Sequence, residues 1–422
     1  MPRLLRALRH RDYCLFFCGH GVSLIGTWMQ RVAFGWLVYR LTGSAAVLGL
    51  VAFVGQLPTL LLAPWAGVLL DRWDRRRVVL LTQTAAMLQA LGLAVLASGH
   101  APQTWQLVLL AAVLGAVDGF DLPARQSLIP ALVQEPADLG NAVALSSFLV
   151  NGARLVGPLA AGLLIVAAGE AVCFLVNALS FAVVIVALLR VRTARPAGRL
   201  ARASMLHELR AGLAYAWEMG AVRSLLGLVA LVSLLGIAHV VLLPVVARDV
   251  LAGDARTLGL LSAAAAAGAL GGALYLAWRP RVAGLAGVVG AAAAICGLGL
   301  AGLGVVRTVA PALVVMATVG FGVMACTAGA TTLLHTIVDD DKRGRVMSLY
   351  ATAFVGMIPL GALLAGRLAS AVGASWTLVL CGGLCALGGV AFLAALPHLQ
   401  RAGAPLSAAR LRPCATAAGS RP

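Results

Sequence analysis

Apolar stretches of about 20 or more residues recur from Tyr13 to Leu396, separated by short segments that hold nearly all of the charge. Each is long enough to cross a hydrocarbon core about 30 Å thick. Lipid offers a backbone no hydrogen-bond partners, and the period-2 alternation of a barrel strand is absent, so the stretches predict helices. They fall at 13–40, 44–70, 78–98, 104–132, 141–168 and 169–190, then at 222–247, 257–278, 283–304, 309–337, 345–369 and 373–396. The pattern predicts an all-α membrane protein of about twelve transmembrane helices.

The two sets of six repeat each other. The segment "GNAVALSSFLVNGARLVGPLAAGLL" from Gly140 aligns with "GRVMSLYATAFVGMIPLGALLAGRL" from Gly344, an offset of 204 residues. Under it Gly140, Leu145, Gly152, Gly157, Leu159 and Gly162 meet identical residues. The same shift sets Gly67 on Gly271, and Arg75 and Arg77 on Arg279 and Arg281. One offset serving separate segments points to two pseudo-symmetric six-helix halves, at 1–190 and 222–396, a transporter architecture with its site near mid-membrane. Between them, 191–221 carries Leu206, Leu209, Leu213 and Trp217 at helical spacing, which predicts a helix lying on a basic membrane surface. The segment 397–422 is expected as a disordered tail.

Composition agrees: 61% of the 422 residues are hydrophobic and 11% charged, against about a quarter charged in soluble domains. A net charge of +17 would suit a nucleic-acid binder, but the basic residues are sorted by loop. Arg3, Arg6, Arg9 and Arg11 precede the first span, Arg72, Arg75, Arg76 and Arg77 fill the loop after the second, and seven arginines run from Arg190 to Arg223. The alternate loops hold only Arg40, Arg248, Arg256, Arg307 and Arg367. The positive-inside rule therefore places both termini and the central loop in the cytoplasm of a bacterial plasma (inner) membrane protein, with no nucleic acid as partner. The N-terminal "MPRLLRALRHRDYC" begins like a signal peptide, but the run behind it is too long and lacks a cleavage site, so span 1 is read as retained. Cys14/Cys18 and Cys381/Cys385 have i,i+4 spacing without convergent His or carboxylate groups, and packing explains them better than a metal.

"AGVLLDRWDRRRVVLL", Ala66 to Leu81, sets six charges within seven residues between two apolar runs. Arginines alone would fix topology, whereas Asp71 and Asp74 weaken that signal, so the acids need another job. The stretch "GVLLDRWDRRR" resembles the signature of the major facilitator superfamily. "GARLVGPLAAG" in span 5 is similar to that superfamily's antiporter motif (Gly152, Gly157, Pro158, Gly162), with Ala161 where a second glycine is usual. "GTWMQRVAFGWLVYRLTGSAAVLG", "DLPARQSLIPALV" and "RGRVMSLY" resemble the drug and siderophore exporter branch, which includes macrolide efflux pumps and the enterobactin exporter. The likeness covers roughly residues 10 to 396. It implies the major facilitator fold and a conformational latch of Gly67, Asp71, Arg72, Asp74, Arg75, Arg76 and Asp121. In that latch Asp71 faces the start of span 11 near Gly344 and Arg345, and the loop arginines engage Asp121 or Asp118. Each such contact is worth about 0.3–2 kcal/mol. In the second copy Tyr275 replaces Asp71, so an equivalent latch there is expected to be weaker.

Charged groups inside the spans cost at least about 2.5–3.5 kcal/mol unless they face a cavity or a partner. Arg31, Asp118, Asp121, Arg125, Arg154 and His239 are such groups. The offset maps Arg31, Asp118, Asp121, Arg125 and Arg154 on Leu235, Gly322, Ala325, Gly329 and Ile358 in turn, so charge is confined to the N-terminal half. Asp121 and Arg125, four apart, can neutralise each other. Arg31, Asp118, Arg125, Arg154 and His239 are therefore candidates for a substrate or proton pathway. Excess arginine favours an anionic or oxygen-rich solute held by paired donors. Met316, Met324, Met357, Phe321, Phe354 and Thr327 could offer a soft apolar wall, although packing explains that stripe more simply.

No phosphate-binding loop occurs, and the only lysine, Lys342, lies in "DDDKRG", so ATP does not drive the chain directly. No convergent nucleophile and base argues for an enzyme, and no cofactor is expected. The expectation is a monomeric secondary active exporter of small molecules, drug or siderophore type, whose proton antiport follows from the resemblance. The alternatives are an importer or facilitator on the same fold and a non-transporting membrane receptor or scaffold.

Overall fold

Apolar runs bounded by charge, proline or glycine become helices because each must satisfy its own backbone. The computed structural model describes residues 3–70, 73–99, 102–133, 135–191, 217, 219–279 and 284–401. The first half holds α1 (Arg11–Thr42), α2 (Ala45–Leu70), α3 (Arg75–Ser98), α4 (Thr104–Leu132), α5 (Leu139–Ala168) and α6 (Glu170–Arg190). The second holds α7 (Gly220–Val250), α8 (Ala255–Trp278), α9 (Leu285–Val305), α10 (Val309–Ile337), α11 (Asp340–Val372) and α12 (Ala374–Arg401). Eleven of these are long and apolar enough to cross a membrane; α1, 32 residues long but interrupted by polar groups, falls short on composition.

Two helices depart from the regular form expected of them. In α7 the α-helical pieces Gly220–Leu231 and His239–Val245 alternate with π-helical turns at Val232–Gly236 and Val246–Val250. In α11 the helix breaks at Gly356, between Asp340–Val355 and Met357–Val372. Extra residues in a π turn and a glycine break both re-aim side chains locally. The helix α12 continues to Arg401, so the first part of the segment expected as a disordered tail is helical. The rest of that tail, 402–422, lies outside the described residues, as does most of the central loop with Leu206, Leu209 and Leu213. Trp217 of that loop is described, exposed, with the Arg223 guanidinium 5.5 Å from its ring centre.

Helix pairing in the first half recurs in the second. The pairs α1 with α5 and α6, α2 with α4, and α3 with α4 and α6 reappear as α7 with α11 and α12, α8 with α10, and α9 with α10 and α12. The turns repeat too: Gly169 between α5 and α6 has φ 82°, and Gly373, 204 positions on, has φ 88° between α11 and α12. That left-handed backbone suits glycine alone among common residues.

Lipid supplies no hydrophobic drive for packing helix on helix, so close contact rests on small residues and interhelical hydrogen bonds. A buried polar ladder does this for α1, α3 and α6: Gln30 Nε2 donates to Gln89 Oε1 at 2.9 Å, and Asn177 Nδ2 donates to Gln30 Oε1 at 2.8 Å. Gln89 continues the ladder into α4 through Leu110 O, at 3.1 Å.

The halves meet along α5 with α8 and α2 with α11. A β-carbon at Gly162 would lie 2.8 Å from Ala255 O, one at Gly259 2.5 Å from Pro158 O, and one at Gly366 2.6 Å from Ala45 O. Ala46 N donates to Ser370 Oγ at 2.9 Å, and Tyr39 Oη donates to Asp249 across the same seam, with Arg248 5.8 Å from the Tyr39 ring. These contacts all lie toward the arginine-poor end of the bundle. At the arginine-rich end, the first half of α11 packs on α7 and α10 of its own half. The bundle is therefore held shut at the arginine-poor end.

Candidate functional site

Three helices of the first half carry the charged residues to one place. Asp118 and Arg154 stand at the middles of α4 and α5, and Trp28 and Arg31 one turn apart near the middle of α1. Arg31 Nη2 donates to Asp118 Oδ2 at 3.3 Å. Both arginines reach the Trp28 ring, whose centre is 5.0 Å from the Arg31 guanidinium carbon and 5.1 Å from that of Arg154, within cation–π range. The Arg31 side chain is 48% exposed and that of Asp118 32%. Charges this open at mid-helix would be costly against lipid unless they face a partner or the interior of the bundle, and the Arg31 to Asp118 pair supplies such a partner.

Local sequence explains how Arg154 gets there. Gly157, one turn further along α5, lets the two backbones approach so closely that a β-carbon would sit 2.5 Å from Trp28 Cβ and 2.9 Å from Ile25 O. The same face of α5 then presents Arg154 to the indole. Among the other residues of the span 5 motif, Pro158 and Gly162 line the crossing with α8, and Gly152 has open space before it. In the second half Gly361 packs on Leu234 of α7 and Gly366 on α2, the same two jobs under the same offset.

Asp121 stands apart from this group. Thr82 Oγ1 and Gln83 Nε2 donate to its Oδ1 at 2.7 and 2.9 Å, and Arg125 Nε lies 2.6 Å from Oδ2. Arg125 also reaches His20, 2.9 Å from its Nε2, and His20 stacks on Phe16. The i,i+4 pair thus neutralises itself within a nearly dry pocket.

The opening charged stretch is only partly described. Asp71 and Arg72 lie outside the described residues, and Gly67 lies in the last turns of α2. Asp74 caps α3, accepting from the amides of Arg76 and Arg77 at 3.0 and 3.4 Å. Arg75 Nη1 donates to Ser127 O at 3.0 Å, and Arg76 donates to Leu188 O and Leu189 O at 2.7 and 2.9 Å. In this closed-at-one-end arrangement the loop arginines therefore hold backbone carbonyls at the ends of α4 and α6. Of the two carboxylates expected to receive them, Asp121 is bonded to Thr82, Gln83 and Arg125, and Asp118 to Arg31. His239 bonds the carbonyl of Gly236 at the π turn of its own helix.

Two groups escaped the sequence reading. Trp28 looks like one more aromatic in an apolar span; its spacing of three from Arg31 is the signal that could have marked it. The other is a clasp at the arginine-rich end, where a short 3-10 helix, Arg3–Arg9, lies against the start of α5. There Arg6, Arg9 and His10 converge on buried Asp138, with His10 Nε2 3.0 Å and Arg9 Nη2 2.8 Å from its Oδ2. Ala7 N also donates to Asn141 Oδ1 at 2.9 Å, and Tyr13 Oη to Ala142 O at 2.8 Å.

The model of the major facilitator family described as transmembrane secretion effector matches residues 5–413. The chain belongs to this family. Among its relatives, this major facilitator protein is 25% identical over 353 residues to the staphyloferrin A transporter of Staphylococcus aureus, covering 83% of this chain and 87% of that one. It is 28% identical over 401 residues to the multidrug efflux pump Tap of Mycolicibacterium fortuitum, covering 92% and 95%. A shorter match, 28% over 148 residues and 35% of this chain, joins it to macrolide efflux protein A of Streptococcus pyogenes, covering 36% of that chain. Its fold is shared with a bacterial homologue of the human lysosomal transporter Spinster, with a TM-score of 0.72 at 16% identity over 92% of this chain and 97% of that one. The nucleoside transporter NupG gives 0.69 at 12% identity, over 91% and 99%. The protein is a multi-pass membrane transporter of the major facilitator fold.

Proposed function

We propose that this protein is a secondary active exporter of small molecules in the bacterial plasma membrane, with both termini cytoplasmic. The observation that carries the reading is the partly exposed cluster of Arg31, Asp118, Arg154 and Trp28 near mid-membrane, in a bundle whose close backbone crossings between the halves, among the described residues, lie toward its arginine-poor end. By the positive-inside rule the open side is then the cytoplasm, from which solute would enter. Opening requires the seam at Gly162, Gly259, Gly49 and Gly366 to part while the arginine-rich end closes, which is alternating access by rocking of two halves. The relatives named for multidrug efflux and macrolide efflux support the outward sense.

Two guanidiniums against one carboxylate leave the cluster positive, which suits an anionic or oxygen-rich solute. Proton antiport is the coupling that the resemblance implies.

The test is accumulation in an efflux-deficient bacterial host expressing the protein, comparing macrolides, catechol siderophores and cationic dyes with and without a protonophore. Lower accumulation of at least one class, abolished by the protonophore and by Arg31→Gln with Arg154→Gln, is the expected result. Equal accumulation of every class in cells with and without the correctly inserted protein would defeat the export reading.

A further inference from the structure

The distances around Trp28 restrict what the cluster can hold. Each guanidinium carbon lies about 5 Å from the same ring centre, so the two cannot be more than about 10 Å apart. That separation suits a solute with two acidic groups on one short or flat body. The indole that both arginines reach adds an apolar edge or face for such a body.

Arg31 is not free to take its share. Asp118 holds it at 3.3 Å, a long contact between two partly exposed groups. The other charges facing Asp118 are few. On its own helix Asp121 and Arg125 cancel each other, His20 of α1 is engaged by Arg125, Arg154 comes from α5, and α2 carries no charged residue. On α3 the arginines stand at its first turn, bonded to backbone carbonyls or to Asp74. The cluster therefore carries one net positive charge with Asp118 ionised and two with Asp118 protonated.

Resting on the reading of the site given above, we propose that Arg31, Arg154 and Trp28 form a seat for a solute bearing two acidic groups, and that Asp118 occupies part of that seat until it takes a proton. A dianion finds a matching charge only when Asp118 is neutral, so solute and proton support each other's binding. For this solute class the sense of coupling departs from the antiport that the resemblance implies. The proton at Asp118 accompanies the solute instead of exchanging for it, and one net negative charge crosses per cycle. With a membrane potential negative inside, that charge is pushed outward, so the potential itself drives the export of such a solute.

The probe is naphthalene-1,5-disulfonate, whose two charges do not titrate between pH 5 and pH 8, added to the full-length protein purified in lipid nanodiscs and followed by calorimetry. At pH 8 Asp118→Asn should bind it at least about tenfold more tightly than the parent, because a neighbouring negative charge has been removed at close range. Repeating the parent titration at pH 5, in buffers of different ionisation enthalpy, should show proton uptake on binding that Asp118→Asn lacks. Trp28→Leu should weaken binding about tenfold, with Trp28→Phe restoring part of it. If Asp118→Asn binds no better than the parent, or the parent releases protons, the inference is overturned. If binding still depends on Arg31 and Arg154 in that event, the anion site of the proposed function survives; if Arg31→Gln and Arg154→Gln bind like the parent, or nothing binds, that site fails as well.

Discussion

Gly157 of α5 lies against Trp28 of α1 so closely that a β-carbon at position 157 would meet the tryptophan β-carbon at 2.5 Å. The Trp28 β-carbon and the backbone of Ile25 and Met29 occupy that space, and none of these atoms can yield cheaply. Gly157→Ala should force the helices apart, at a cost of about 1–3 kcal/mol for overpacking. It should also carry Arg154 away from the indole. The expected outcome is a lower melting temperature in detergent together with loss of transport, whereas Gly152→Ala, which faces open space, should leave both near the parent value.

Asp121 and Arg125 make a separable prediction. The carboxylate is 3% exposed, and its partner's side chain is 19% exposed. Removing one member of a buried pair strands the other, at about 3–5 kcal/mol. Asp121→Asn should therefore destabilise the fold strongly, and Asp121→Leu with Arg125→Leu should recover much of the loss. Thermal unfolding of the three variants checks it; equal damage in the double variant would mean that the residues act independently.

Helix limits were legible to within a few residues because lipid allows a backbone no interruption, which makes every span a continuous apolar run with charge or glycine at its ends. The duplication was legible for a related reason. Gly157 and Gly162 meet Gly361 and Gly366 under one offset, and each pair keeps two backbones in contact. The embedded charges were legible as costly exceptions, and Asp121 with Arg125 by helical spacing, but the Arg31 to Asp118 bond depends on how α1 and α4 face each other. The partners of Arg75 and Arg76 were not legible at all, because a backbone carbonyl belongs to every residue. The π turns of α7 and the break at Gly356 also left no mark distinct from an ordinary apolar run.

Asp74 and Asp71 sit in one motif but should fail differently when changed. Asp74 accepts from two amides at the start of α3, so Asp74→Ala should cost about 1 kcal/mol as a lost helix cap. Melting temperature should fall while transport by the folded fraction persists. Asp71→Asn is expected to slow transport with little change in melting, because the resemblance gives that acid a role in switching. The reverse pattern would exchange the two assignments.

At the arginine-poor seam, Tyr39 donates to Asp249 across the two halves. Tyr39→Phe should weaken closure by about 0.5–1.5 kcal/mol, the net worth of one hydrogen bond. That corresponds to a roughly two- to tenfold rise in the open fraction at this end. Labelling of a cysteine placed at Ala46, which bonds Ser370 in the closed seam, with an impermeant thiol reagent should speed up accordingly. An unchanged rate would show that the glycine crossings alone hold the seam.

The glycines at 157, 162 and 169 and their counterparts at 361, 366 and 373 give both copies the same joints, while every buried charge near mid-membrane is carried by one copy. Motion and chemical recognition are thereby written in different letters. In the exporter proposed above, a lineage could rewrite the charged residues of α1, α4 and α5 one by one without disturbing the glycine joints that both copies share.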